Sequence, residues 1–193
     1  MKLIVALGNP TKEYTNTRHN AGRIVLQELI NKSDMGLTWN HDTFLKSNII
    51  KLNLAGIDSL VKTESVLFKK IDNHFLDGDT SLILSFPTLF MNESGKSVLS
   101  VMKFYKLKPS DLLVIHDDLD VRLGKCLLQF SKGPKVHNGI KSIEELIGKD
   151  FWRLRVGVDN RDMTKLSDKN TPGGDYVLQN FSEEELGILK SLI

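Results

Sequence analysis

"LIVALGNP", residues 3–10, decides the fold. Leu3 to Leu7 is a short run of apolar, partly β-branched residues, too short for a helix and flanked by turn chemistry at Gly8-Asn9-Pro10. It predicts a buried strand that the chain leaves abruptly. Ten residues on, "TRHNAGR" (17–23) sets a histidine between an arginine and an asparagine, just before an apolar helical pattern. A loop that only joins a strand to a helix has no need of histidine, so His19 is the first residue whose presence asks for a function.

The same alternation continues downstream. Strand-like runs fall at about 48–54 ("SNIIKLN"), 82–86 ("LILSF"), 112–116 ("LLVIH"), 126–130 ("CLLQF") and 152–158 ("WRLRVGV"). Helical periodicity appears at 20–32, 94–106, 138–148 and 182–192, the last opening on Ser182 with Glu185 three residues later. Strands alternating with helices predict an α/β fold: a single domain over 1–193, with a mixed, mainly parallel twisted sheet flanked by helices on both sides. Residues 57–79 fit neither period and read as an insertion or an extended hairpin.

Composition narrows the class. The chain has 193 residues, 40% of them hydrophobic and 26% charged, which suits one globular domain with a real core. It carries no apolar run of membrane-spanning length and enters a strand at once, leaving no room for a signal peptide. The single cysteine, Cys126, excludes an intramolecular disulfide and a cysteine metal cluster. A cytoplasmic protein is expected. Net charge is only +2, yet residues 122–155 hold eight Lys or Arg against three acids, a local +5 that leaves the remainder at −3. A local basic face suits a polyanion such as RNA.

In an open α/β sheet, functional groups gather on the loops that leave the carboxyl ends of the strands. Those loops carry Asn9, Tyr14 and His19; then Phe90, Met91 and Asn92; then the acidic "DDLD" at 117–120; then His137 and Asn138. Singly, each has a structural explanation. Asparagine next to glycine or proline serves turns, and Asn20 and Asn138 sit where helix caps belong. Together, on successive strand ends, they suggest one site. No Gly-x-Ser-x-Gly elbow and no phosphate-binding glycine loop is present, and Cys126 falls inside an apolar strand. What remains is histidine, a carboxylate to orient it, and neutral amides. That set suits hydrolysis of an acyl bond by water, with no metal and no covalent intermediate.

The blocks "GNPTKEYTNTRHNAG", "PTLFMNESGKSV", "VIHDDLD", "HNGIKSI", "FWRLRVGV" and "GGDYVLQNF" resemble, in order and spacing, the signature blocks of the bacterial-type peptidyl-tRNA hydrolases. The resemblance implies a monomeric, cofactor-free esterase that cleaves the ester between a peptide and the tRNA ribose. By that likeness His19 is the catalytic base and Asp117 its supporting carboxylate. Asn9 distinguishes N-blocked from free aminoacyl esters, and Asn92 and Asn138 hold the substrate near the scissile bond. Tyr14 and Phe90 line the cleft. Arg155, with Lys132, contacts tRNA phosphate. The chain departs from the family pattern at "SKGPKVHNG" (131–139), where glycines are usual, at Gln129, where a basic residue is usual, and over 57–79. Two other readings stand beside this one. One is a Mg²⁺-dependent phosphohydrolase using His116, Asp117, Asp118 and Asp120 as ligands. The other is a non-enzymatic RNA-binding module.

Overall fold

The computed structural model describes residues 1–76, 78, 80–162 and 170–193. The strand read from "LIVALGNP" is β1 (Lys2–Ala6), and it lies at the centre of a seven-stranded sheet. The other strands are β2 (Asn40–Asp42), β3 (Ser47–Asn53), β4 (Ser81–Pro87), β5 (Leu112–Arg122), β6 (Cys126–Phe130) and β7 (Trp152–Asp159), in the spatial order β2-β3-β4-β1-β5-β7-β6. The central four, β4, β1, β5 and β7, pair in parallel. β3 runs against β4, β2 against β3, and β6 against β7. Only β3 and β6 therefore point opposite to the rest, which gives the mixed, mainly parallel sheet expected.

Parallel central strands must be covered on both faces, and β1 is apolar in both directions for that reason. Ile4 and Ala6 join one core with Val25, Leu26 and Leu29 of α1 (Ala21–Lys32). Leu3, Val5 and Leu7 join a second core with Val98 and Val101 of α4 (Ser94–Tyr105) and Ile140 and Ile143 of α5 (Asn138–Ile147). Two glycines permit the close approaches that fix the helices. A Cβ on Gly22 would lie 2.5 Å from the Ile115 carbonyl, so α1 starts directly on the backbone of β5. A Cβ on Gly95 would lie 2.1 Å from the Ser142 carbonyl, where α4 crosses α5.

Two expectations need correction, and one strand was unforeseen. Residues 57–79 are mostly helical where described, not a hairpin: α2 (Leu54–Val61) is followed by α3 (Val66–Ile71), which runs into one wide turn, Asp72–Leu76. Residues 77 and 79 lie outside the described residues. Asn53 and Ser65 cap the two helices through their side chains, and Ile57, Leu60, Leu67, Phe68 and Ile71 extend the first core. Next, "DDLD" is not a loop, because β5 continues through it to Arg122. Last, β2 was not legible at all. Its three residues, Asn40-His41-Asp42, are polar and join the sheet through backbone pairing with β3. At the carboxyl end, α6 (Gly173–Leu178) and α7 (Glu183–Lys190) return across the sheet, and α7 carries the capping box read at Ser182 and Glu185.

Candidate active site

β1 and β5 pair in register to Ala6 and Ile115, so the chain leaving β1 sits beside the continuing β5. His19 lies in a helical turn, Arg18–Asn20, immediately before α1. The close seat of Gly22 on β5 brings that turn over Asp117. The His19 Nδ1 lies 2.9 and 3.0 Å from the two Asp117 carboxylate oxygens, and both residues are buried. An acceptor on both sides of Nδ1 means that this nitrogen carries the hydrogen and donates it. Nε2, with its lone pair, is the atom left for chemistry.

Burial alone would lower the His19 pKa, but the charge and hydrogen bond of Asp117 outweigh it and hold the imidazole above its ordinary 6.5. Burial pushes the Asp117 carboxyl up, and His19 and His137 more than reverse this, holding it far below the usual carboxylate range. The pair is therefore a carboxylate that keeps its charge and an imidazole made more basic by it.

His137 was quoted in sequence without a role, and it proves to be the third member of the cluster. Its Nδ1 accepts from the backbone N–H groups of Gly139 and Ile140, capping α5. The hydrogen must then sit on Nε2, which donates to Asp117 Oδ1 at 2.9 Å. His137, not Asn138, is the helix cap, so Asn138 is free and exposed at the cavity edge. Asn20 likewise does not cap α1 with its side chain. Its Oδ1 accepts from the Asn9 backbone N–H at 2.8 Å and its Nδ2 donates to the Asn9 carbonyl at 3.1 Å, gripping the loop after β1.

That grip orients Asn9. Its Oδ1 accepts from the Met91 N–H at 2.9 Å, which fixes the amide's direction and leaves Nδ2 as the group available to a ligand. Asn9, His19, Asn92, Asp117 and Asn138 all line one cavity of about 540 Å³. Its apolar wall comes from Met91, Leu119 and Val136, with Val177 and Leu178 of α6 opposite. The α6 wall gave no signal in sequence beyond the block "GGDYVLQNF". Arg18, in the turn that carries His19, forms a buried bidentate ion pair with Glu185 of α7 at 2.7 and 2.8 Å. Arg18 also donates to the Asn180 carbonyl and packs over the Tyr176 ring.

Other predicted residues fall elsewhere. Tyr14 and Phe90 meet edge to face at 6.5 Å and lie outside the residues that line the cavity with His19. Lys132 is exposed. Arg155, expected at a phosphate, is buried: Nε donates to Asp118 at 2.6 Å and Nη1 to Gln129 at 2.8 Å. Its charge is already neutralised, and its guanidinium packs beneath Gly133, so it braces the 131–137 loop.

The proposed metal set does not assemble. Side chains alternate along β5, so Asp117 faces opposite to His116 and Asp118. His116 donates from Nδ1 to the Asp117 carbonyl, and its Nε2 is sealed without a partner. Burial, then the neighbouring His137, lowers its pKa to about 3. Asp118 is committed to Arg155, and Asp120 lies against Lys135. His19, Asp117 and His137 do lie within 4.8 Å of one another. Yet the His137 nitrogen that faces the group carries a hydrogen, because its partner nitrogen is taken by the α5 backbone.

A sequence profile of the family described as peptidyl-tRNA hydrolase matches residues 3–193. The chain is 33% identical over 189 residues to a peptidyl-tRNA hydrolase of Rickettsia canadensis, covering 98% of this chain and 85% of that one. It is 34% identical to the Rickettsia conorii enzyme of the same name, covering 96% and 83%. Among solved structures it resembles the peptidyl-tRNA hydrolase from Acinetobacter baumannii, with a TM-score of 0.74 at 30% identity, covering 98% of this chain and 81% of that one. With a profile spanning nearly the whole sequence and relatives alike in length and fold, this chain belongs to the peptidyl-tRNA hydrolase family, whose members hydrolyse the ester that joins peptide to tRNA.

Proposed function

We propose that this hydrolase activates water with His19 and needs neither metal nor covalent intermediate. The supporting observation is the hydrogen-bond chain from the α5 backbone through His137 and Asp117 to His19, which directs a basic Nε2 at the cavity. Water attacks the ester carbonyl carbon while Nε2 takes its proton. The tetrahedral intermediate then breaks the bond to the ribose oxygen, which receives that proton from the imidazolium. Asp117 stabilises the imidazolium, and the amides of Asn9, Asn92 and Asn138 hold the carbonyl and the peptide. The scheme asks for groups from a single chain, which suits a monomer, and its tRNA substrate suits the cytoplasm. The test is release of N-acetyl amino acid from N-acetyl-aminoacyl-tRNA with and without EDTA. The rate is expected to be unchanged by the chelator. A rate lost on chelation and restored by Mg²⁺ would return the phosphohydrolase reading.

Asn9 sets the requirement for a blocked amine. Its Nδ2 donates to an acylated substrate's backbone but meets the α-ammonium of a free aminoacyl ester as donor against donor, in a site that strips the ammonium of water. Asn9→Asp keeps an acceptor for the Met91 N–H and places a carboxylate oxygen where Nδ2 stood. The ratio of kcat/KM for free over N-acetylated aminoacyl-tRNA should therefore rise, by roughly ten-fold if a charge-assisted bond forms. An unchanged ratio would leave Asn9 as a turn residue only.

The two basic residues should part company. Lys132→Gln should weaken tRNA binding and reduce the salt slope by about one, the mark of one lost phosphate contact. Arg155→Gln should leave the slope nearly as it is and lower kcat instead, because the loop leading to His137 and Asn138 loses its brace. A slope reduced by Arg155→Gln and untouched by Lys132→Gln would reverse these assignments.

A further inference from the structure

Asn9 lines a second cavity as well as the one that holds His19. This cavity, of about 310 Å³, lies between the 9–16 loop, Arg23 and Gln27 of α1, Phe86 of β4 and Lys190 of α7. Its polar centre is Arg23. Nη2 donates to the Pro87 carbonyl, the guanidinium lies 5.5 Å from the Phe86 ring, and Nε is sealed beside Gly8 without a partner. Among the described residues no carboxylate pairs with it. Glu28, at the same cavity, is held by Lys190 at 2.7 Å. Burial lowers the Arg23 pKa to about 10, which leaves it charged at neutral pH. Among the described residues, the remaining nitrogen, Nη1, has no hydrogen-bond partner. A guanidinium that has lost water from two nitrogens without gaining a counter-ion favours an incoming anion. Thr11 and Asn16, whose side chains are uncommitted, border the same space.

The sheet order says which anion. The basic segment 122–155 includes β6 and β7, on the β5 side of β1, whereas the Arg23 cavity adjoins β4 on the other side. With tRNA placed over that basic side, the side of Asn9 toward β4 is the one left for the peptide. We infer that the Arg23 cavity is a peptide subsite that takes the carboxylate of an aspartate or glutamate next to the esterified residue. This rests on the reading of Asn9 and His19 given above.

The experiment compares N-acetyl-aspartyl-alanyl-tRNA and N-acetyl-glutamyl-alanyl-tRNA with their asparaginyl and glutaminyl isosteres. For the acid whose length fits, wild type should show kcat/KM roughly ten-fold above the matching amide. Arg23→Met, which keeps an unbranched side chain of similar length without the charge, should bring that ratio to one or below, while Arg23→Lys should retain part of it. Ratios near one in wild type, or a ratio unmoved by Arg23→Met, would overturn the subsite. An equal loss on acid and amide in Arg23→Met, with a shallower salt dependence, would assign Arg23 to tRNA phosphate and also overturn it. Should wild type cleave none of the four, the proposed reaction itself fails, which is a different result.

Discussion

Replacing His19 with alanine should lower kcat/KM on N-acetyl-aminoacyl-tRNA by about a hundred- to ten-thousand-fold, the usual worth of a positioned general base. The loss should appear in kcat, because the side chain acts on water in the transition state and does little to hold the substrate. The fold should survive. His19 sits in a short turn whose place is fixed by Arg18 and Asn20, through the Glu185 ion pair and the Asn9 backbone, and none of those contacts uses the imidazole. Tight tRNA binding and unaltered circular dichroism, together with the lost rate, are the expected pattern. A folded His19→Ala protein that hydrolyses at a rate near wild type would remove His19 from the chemistry.

Asp117→Asn should cost nearly as much, for a reason specific to His137. An asparagine presents one acceptor and one donor where the carboxylate presents two acceptors. His137 is pinned by the α5 backbone as an Nε2–H donor, so the amide oxygen must face His137. That oxygen stays within reach of His19 Nδ1, but the NH₂ now stands where Oδ2 was, 3.0 Å from Nδ1, and as a donor favours the tautomer with its lone pair there. The hydrogen moves to Nε2, and the base is lost although every atom stays near its place. In a Ser-His-Asp triad the same exchange of tautomer costs about ten-thousand-fold. Asp117→Asn also removes the charge that raises the His19 pKa, leaving burial to lower it. What activity remains should therefore show its acidic limb at lower pH than wild type. Relaxing the pin should relax the penalty, so His137→Ala combined with Asp117→Asn should lose less than the two single losses multiplied.

The central strand and the turn that leaves it were legible because their sequence is unambiguous. Leu3 to Leu7 has no polar residue to compete with burial, and Gly8-Asn9-Pro10 admits no continuation. The other parallel strands followed from their alternation with helices whose apolar residues repeat with one period. "DDLD" was misread because buried carboxylates imitate a solvated turn. Asp117 and Asp118 belong to a strand only because His19, His137 and Arg155 compensate them, and those partners lie 20 or more residues away in sequence. The short helices of 54–71 escaped notice because Lys62 to Ser65 interrupt the period between Leu60 and Leu67. The placing of Asn20 failed by proximity: local cap propensity favours its own helix, while the structure uses its amide on Asn9, eleven residues back. Arg155 failed for a related reason. A cation on a basic stretch reads as a surface contact until the neighbouring strand supplies Asp118.

The proposed mechanism needs His19 to be a base made stronger by Asp117, and titration of that imidazole by NMR tests this directly. The His19 resonance should titrate with a midpoint above 6.5 in wild type, since the pKa is raised by the carboxylate against the pull of burial. Activity needs the neutral form, so kcat/KM should rise with pH through that same midpoint and level off above it. A His19 midpoint at or below 6.5, or an acidic limb of kcat/KM that follows some other group, would contradict the account.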